Sequence, residues 1–387
     1  MKVKLNNKDS RLNLNSILLG ILLSANLIAS SLSVFIIIPN IFAVIVILLG
    51  AVSLLATGFL YSRNIFIMVC IVLLQFLLSY IYINSITTGI FLLSFLAVSI
   101  PSMFIASKPF DIYKTMKTIQ VIAILCVPYI YSVINTDYSI YDSGLLMGLG
   151  YALLPVIASS LIILYGNYGK KWNLLAFINI TIMLIASTKF ISRGFFISLA
   201  TVIAILTILK IKERPRLGVS LLILIFIILI PFSMSISRSV TSTQLYYNLY
   251  ELKAEDQLNG RASDIQNILE YRSLSSVIFG SGVGSYFSNH KSAYIHNIFG
   301  MAYYETGIIS ALAILAIILK AVLTVFNESS YETKITIIFL LCTSVIRLMF
   351  SYNFWIDQIF WVFVSIMICK PSLPNKVSYP KHKVLAV

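Results

Sequence analysis

The stretch SILLGILLSANLIASSLSVFIII, residues 16–38, carries no charged side chain from end to end. About 20 apolar residues suffice for a helix to cross the hydrocarbon core of a bilayer. Lys2, Lys4, Lys8 and Arg11 precede the stretch. A cleavable leader has the same basic start, but its apolar core is only about 7–15 residues long. Residues 16–38 therefore read as an uncleaved first membrane span, and Pro39-Asn40 turns the chain into a second run at 41–60.

The pattern repeats along the chain. Further apolar runs lie at 64–83, 87–106, 118–134, 147–165, 173–187, 195–209, 217–234, 296–326, 335–352 and 354–368. The 296–326 run is long enough to tilt or to extend beyond the bilayer. Composition agrees: 59% of residues are hydrophobic and 11% charged, against about 25% charged in a soluble domain. The runs are long and unbroken, unlike the short alternating strands of a membrane barrel. The expected fold is all-α: one integral membrane domain over residues 1–387, with about twelve transmembrane helices. Cys70, Cys126, Cys342 and Cys369 lie within or at the ends of apolar runs, without disulfide or zinc spacing, and read as small apolar packers.

Charge gives the orientation. Threaded from a cytoplasmic N-terminus, all but eight of the 28 Lys and Arg residues fall on the cytoplasmic side, including Lys210, Lys212, Arg214 and Arg216. That bias is the positive-inside rule, and it puts both termini in the cytoplasm. The net charge of +14 is then topology and attraction to anionic lipid, and nucleic-acid binding does not follow. The eight exceptions are Lys189, Arg193, Arg238, Lys253, Arg261, Arg272, Lys291 and Arg347. Basic residues avoid the outer side unless something holds them there, so function is sought among these eight.

Residues 235–295 form the one long hydrophilic stretch, an outer loop between the ninth and tenth spans. Arg238, Lys253, Arg261, Arg272 and Lys291 are balanced there by Glu251, Glu255, Asp256, Asp264 and Glu270. Residues 246–253 and 263–274 carry apolar side chains at helical spacing, which predicts short amphipathic helices on the membrane surface. Gly280, Gly282 and Gly284 read as a turn bringing the loop back to His296. The alternative is an anion-binding nest of backbone N–H groups. No internal repeat is apparent, which weighs against transporters built from tandem or inverted halves.

Several short motifs recur in order on the outer side. Ser192-Arg193-Gly194 opens a span, Gly260-Arg261 lies in the loop, and Gly-x-Gly-x-Gly follows at 280–284. His296-Asn297 comes next, then Glu305-Thr306-Gly307 in the same run. Over about residues 188–310 this order resembles the bacterial O-antigen polymerase and O-antigen ligase superfamily. The resemblance implies a metal-independent glycosyltransferase without a cofactor, in the bacterial inner membrane, with its active site facing the periplasm. The implied donor is a glycan on undecaprenyl diphosphate. The implied acceptor is a sugar hydroxyl, on another lipid-linked repeat unit for a polymerase or on lipid A-core for a ligase. A polysaccharide chain-length regulator is the partner expected of such a polymerase. Many ligases of the superfamily carry a further His two residues before the His-Asn pair. Tyr294 stands there in this chain, which favours the polymerase.

The residue chemistry suits that reaction. A departing lipid diphosphate gathers negative charge, which fixed guanidinium groups can stabilise by bidentate hydrogen bonds. Arg193 and Arg261 are the chosen pair, and Lys189, four residues before Arg193, either adds to the field on the diphosphate or is a surface charge. The alternatives are an interfacial anchor for Arg193 and a solvated or Asp264-paired charge for Arg261. His296 is the chosen base for the acceptor hydroxyl, the alternatives being a structural interfacial histidine there and His290, six residues earlier, as the base. Asn297 caps the following helix or orients a neighbour. Glu305 is read as holding an arginine or packing helices, because a carboxylate within the membrane seeks a partner. Arg347 and Asp357 form either a buried ion pair or a wall of the donor cavity. Tyr246, Tyr247, Tyr250, Tyr271, Tyr286 and Tyr294 are candidates for stacking on sugars. A flippase or transporter is the reading from another class. It would spread ionisable residues towards mid-membrane, whereas here they gather at the outer ends.

Overall fold

The computed structural model describes residues 7–32, 40–57, 62–83, 85–135, 143–166, 168–187, 193–213, 268, 273–290, 295, 297–328, 330–349 and 353–369. Among them the chain is helical and has no strand, as the all-α reading requires. Each apolar run is helical where it is described. The 217–234 run, most of the outer loop and the basic tail lie outside the described residues.

The helices are α1 (Asn7–Leu23), α2 (Ala25–Leu32), α3 (Ile41–Thr57), α4 (Arg63–Ile83), α5 (Ile86–Ser94) and α6 (Ile100–Ala106), a π-helical turn at Phe95–Ser99 joining the last two. Next come α7 (Ile112–Leu125), α8 (Val127–Asn135), α9 (Ser143–Gly166), α10 (Lys170–Ser187) and α11 (Arg193–Glu213). Two short helices follow, α12 (Leu274–Phe279) and α13 (Ser285–His290). The long α14 (Ile298–Asn327) leads to α15 (Tyr331–Leu340), and a second π turn at Leu341–Val345 runs into α16 (Ile346–Leu348). A 3₁₀ turn at Phe354–Ile356 precedes α17 (Gln358–Cys369).

Among the described residues four helices are long and apolar enough to cross a membrane: Arg63–Ile81, Ile86–Ala106, Gly148–Gly166 and Ile298–Asn327. A fifth crossing is α1 with α2, if the pair counts as one span bent by 58°. Several runs expected to be continuous are broken, each for a local reason. The first run bends at Ser24, four residues after Gly20, and Gly/Ser pairs are a common cause of kinks. The run at 118–134 begins earlier, at Ile112. Asp111 caps it, Oδ1 accepting from the N–H of Tyr113 at 2.9 Å and of Lys114 at 3.2 Å. The same run breaks at Cys126, where Pro128 withholds the N–H that Ile124 would otherwise receive. The 354–368 run starts with a 3₁₀ turn, and its α-helix begins only at Gln358.

The bundle has a clear interior. α9 and α17 are its most enclosed helices, whereas α4 and α14 leave most of their surface facing outward. One polar knot lies in this interior. The Gln120 amide donates to Ser159 Oγ at 2.7 Å. Its Oε1 accepts from Ser160 at 3.0 Å and from Asn179 Nδ2 at 2.8 Å. All four residues are fully buried. Interhelical amide and hydroxyl bonds of this kind hold helices together where burial of apolar surface supplies no drive. At one end of the bundle Lys108 is buried over the Phe104 ring at 4.1 Å, its Nζ donating to Ser53 O and Oγ at 3.0 Å each. Burial, which penalises the charged amine, lowers its pKa from 10.5 to about 8.

Candidate functional site

Helix α14 supplies the centre of the site. Asn297 caps it, Oδ1 accepting from the N–H of Phe299 at 2.8 Å and of Gly300 at 3.3 Å. Two turns on, the helix is interrupted. Gly307 has φ 84° and ψ 176°, a conformation essentially confined to glycine. A Cβ at Gly307 would overlap the carbonyl of Ile278. The break withdraws the N–H groups that would have bonded to the carbonyls of Tyr304 and Glu305 four residues earlier.

The glycine turn at 280–284 fills that gap. Ser281 N–H donates to Tyr304 O at 2.8 Å, and Gly282 N–H to Glu305 O at 2.9 Å. Val283 N–H donates to Ser79 Oγ at 2.9 Å, and Val283 O accepts from Thr88 Oγ1 at 2.7 Å. Gly284 N–H donates to Glu305 Oε1 at 3.0 Å. The turn is thus fastened to α4, α5 and α14 together. Its N–H groups go to separate acceptors, and only that of Gly284 reaches the Glu305 side chain, so they do not converge as an anion-binding nest would. Ligand capture by those amides is therefore ruled out while the turn is docked.

Glu305 is 1% exposed. Its Oε2 accepts from the indole Nε1–H of Trp355 at 2.8 Å. Its described partners are this indole and backbone amides, where the sequence suggested an arginine. Trp355 ties the site to the end of the bundle. Its N–H donates to Asn353 Oδ1 at 2.9 Å, and its carbonyl accepts from Ser99 Oγ at 3.1 Å. Its ring meets Phe76 edge-on at 4.9 Å. Two residues further, Asp357 caps α17 through Oδ1, bonding the N–H of Ile359 at 2.9 Å and of Phe360 at 3.1 Å, while Oδ2 pairs with Arg347 Nη2. Both members of the pair are buried, and the guanidinium also lies over the Tyr151 ring at 5.3 Å. Of the two readings of Arg347 and Asp357, the geometry is that of a buried ion pair.

Among the other sequence-derived candidates, Lys189, Arg261 and His296 lie outside the described residues. Arg193 is the first residue of α11. Of the tyrosines considered for sugar stacking, Tyr286 is buried edge-on against Tyr304 at 5.2 Å, with no face open to a sugar. Tyr246, Tyr247, Tyr250, Tyr271 and Tyr294 lie outside the described residues, as does the 246–253 helix. Among the described residues no three His, Cys, Asp or Glu side chains gather closely enough to hold a metal ion.

Sequence reasoning missed Trp355, Ser79 and Thr88. Trp355 is one of only three tryptophans and stands beside Asn353 and Asp357 in an otherwise apolar stretch, which was the available signal. Ser79 and Thr88 sit singly in apolar helices and gave none. Comparison of the chain with family models, with curated proteins and with solved structures finds no match, so the functional reading rests on residue chemistry and the geometry above.

Proposed function

We propose that the chain is a polytopic protein of the bacterial inner membrane, with about twelve spans and both termini cytoplasmic, that polymerises O-antigen or a related surface polysaccharide. The acceptor sugar hydroxyl attacks the anomeric carbon of the donor glycan. The bond from that carbon to the diphosphate oxygen breaks, and the lipid diphosphate leaves with the electron pair. His296 takes the hydroxyl proton. Arg193 and Arg261 receive the charge developing on the diphosphate, with Lys189 adding to the field. Fixed cationic donors are most effective where water is sparse and no reorganisation is needed as charge appears.

The observation that carries this reading is the fastening of the outer loop onto α14. The glycine turn is bonded to Tyr304 and Glu305, and Asn297, next to His296 in sequence, caps α14. General-base catalysis needs a base kept at a fixed distance from the bound hydroxyl, and the proposal gives that part to His296. Glu305, Trp355, Arg347 and Asp357 act by positioning and do not touch the reacting atoms.

The test is complementation of a polymerase-null strain, read as the lipopolysaccharide ladder on a gel. The wild-type chain restores the ladder. Arg193→Ala, Arg261→Ala and His296→Ala each abolish it while the protein remains in the membrane. Arg193→Lys is impaired, because a point charge does not reproduce the planar fork. Core carrying a single repeat unit identifies the ligase step as intact and polymerisation as the lost one. A full ladder from any of the alanine variants removes that residue from the mechanism.

A further inference from the structure

The glycine turn and the short helix before it lie at a depth that a loop outside the membrane would not reach. Two independent helices give that depth. On α4, Gln75 Nε2 donates to Phe279 O at 3.3 Å. Gln75 lies eight residues before the end of α4 at Ile83, about 12 Å below it at about 1.5 Å of rise per residue. On α14, the Ile278 carbonyl abuts Gly307. Gly307 lies nine residues after Ile298, about 14 Å below the start of that helix.

The basic residues at the opposite ends give the same level from below. Arg63 opens α4 twelve residues before Gln75, about 18 Å away. Lys320 follows Gly307 by thirteen residues, about 20 Å away, and donates through Nζ to Met367 O at 2.7 Å near the end of α17. With Arg63 and Lys320 at the cytoplasmic boundary of a hydrocarbon core about 30 Å thick, Phe279 and Gly307 lie about 10–12 Å inside its outer boundary.

The geometry points to a re-entrant element: residues 273–284 dip into the outer leaflet, with Leu274 and Phe279 against lipid acyl chains. This rests on the membrane-spanning reading of α4 and α14. Hydrogen bonding fits the environment, because backbone at membrane depth survives only when its polar groups are satisfied by protein. Every N–H from Gly280 to Gly284 has a protein acceptor, Gly280 donating to Ser276 O at 2.9 Å and the next four as described above. The serines of α12 satisfy one another, Ser273 Oγ lying 2.9 Å from Ser275 Oγ and 2.8 Å from Ser276 Oγ. Meanwhile Leu274 is 76% and Phe279 65% exposed in the isolated chain. Bulky apolar side chains left uncovered beside closed hydrogen bonds match hydrocarbon, where water would favour the reverse.

The experiment uses the full-length chain in intact cells, with its four native cysteines replaced by serine or alanine. Single cysteines are introduced as Leu274→Cys and Phe279→Cys in the proposed element. Asp256→Cys serves as the aqueous-loop reference, and Leu74→Cys as the lipid-facing reference on α4 beside Gln75. A membrane-impermeant maleimide should label positions 274 and 279 at least about tenfold more slowly than 256, and as slowly as 74. Nitroxides at 274 and 279 in bilayers should relax faster with oxygen than with a water-soluble nickel chelate, which reads depth without relying on labelling rate. Labelling of 274 and 279 at the rate of 256, with 74 protected, overturns the re-entrant element and leaves the membrane reading of α4 intact. Rapid labelling of 74 as well overturns both.

Discussion

The indole N–H of Trp355 donates to Glu305 Oε2 at 2.8 Å, across fifty residues of sequence. That bond joins the turn before the last helix to the last complete turn of α14 before its break. The side chain it holds also receives Gly284 from the glycine turn. Three segments distant in sequence therefore share one buried acceptor.

Removing the indole should loosen that junction. Trp355→Phe keeps most of the ring packing against Phe76 but leaves Oε2 without its donor. A buried polar group that loses its partner costs about 1–3 kcal/mol. The expected outcome is a lower apparent melting temperature in detergent. A double-mutant cycle with Glu305→Gln should give a coupling free energy clearly different from zero. Additive effects would show that the bond does not contribute.

Gly307→Ala should be far more damaging than Gly148→Ala. A Cβ at 148 meets nothing within 4 Å, whereas at 307 it overlaps the Ile278 carbonyl in a backbone conformation that non-glycine residues avoid. Strain of that kind costs about 1–3 kcal/mol before any displacement of the loop. Limited proteolysis should find the 273–290 segment newly cleavable in Gly307→Ala and protected in Gly148→Ala. Equal protection would separate the break from loop docking.

Arg347 and Asp357 should be more costly to remove singly than together. Breaking a buried pair leaves one uncompensated charge, at about 3–5 kcal/mol, while apolar replacement of both is often neutral. Arg347→Met and Asp357→Leu should each lower the yield of folded protein in size-exclusion profiles. The double variant should recover much of it, less the cap that Asp357 provides to α17. A double variant worse than either single would contradict the ion-pair account.

Lys108 predicts a pH dependence of stability. Its folded pKa is lowered to about 8 from 10.5. Below about 8 both folded and unfolded forms carry the proton, and the folded form bears the full desolvation cost. Between about 8 and 10.5 the unfolded chain holds a proton that the folded chain has released, so folding gains stability as pH rises. Wild type should therefore gain melting temperature relative to Lys108→Met across that window. A difference independent of pH would show that the amine is not desolvated.

Hydropathy made the helices legible, because span length and charge spacing follow from bilayer thickness and solvation. It did not reveal the interruptions. The bends at Ser24 and Cys126 have local causes that an apolar count does not weigh, and the break at Gly307 depends on the glycine turn that replaces the missing backbone bonds, which is a tertiary fact. Glu305 and Arg347 could be picked out as polar groups in apolar runs, yet their partners could not. Trp355 looks like any interfacial aromatic until Glu305 is placed beside it. Helix α12 has only six residues, so no count of apolar length could link it to the membrane. Arg193 was legible as a basic residue opening a helix, and α11 starts there.

The Gln120 knot constrains motion in one direction more than others. Sliding α7 against α9 and α10 by a single turn would separate Gln120 from Ser159, Ser160 and Asn179 at once, with no solvent nearby to compensate. Swaying of the helix ends leaves those bonds in place. The interior thus resists pistoning while permitting splay, so any opening of the bundle begins with helices parting at the rim and not with one helix ratcheting past another.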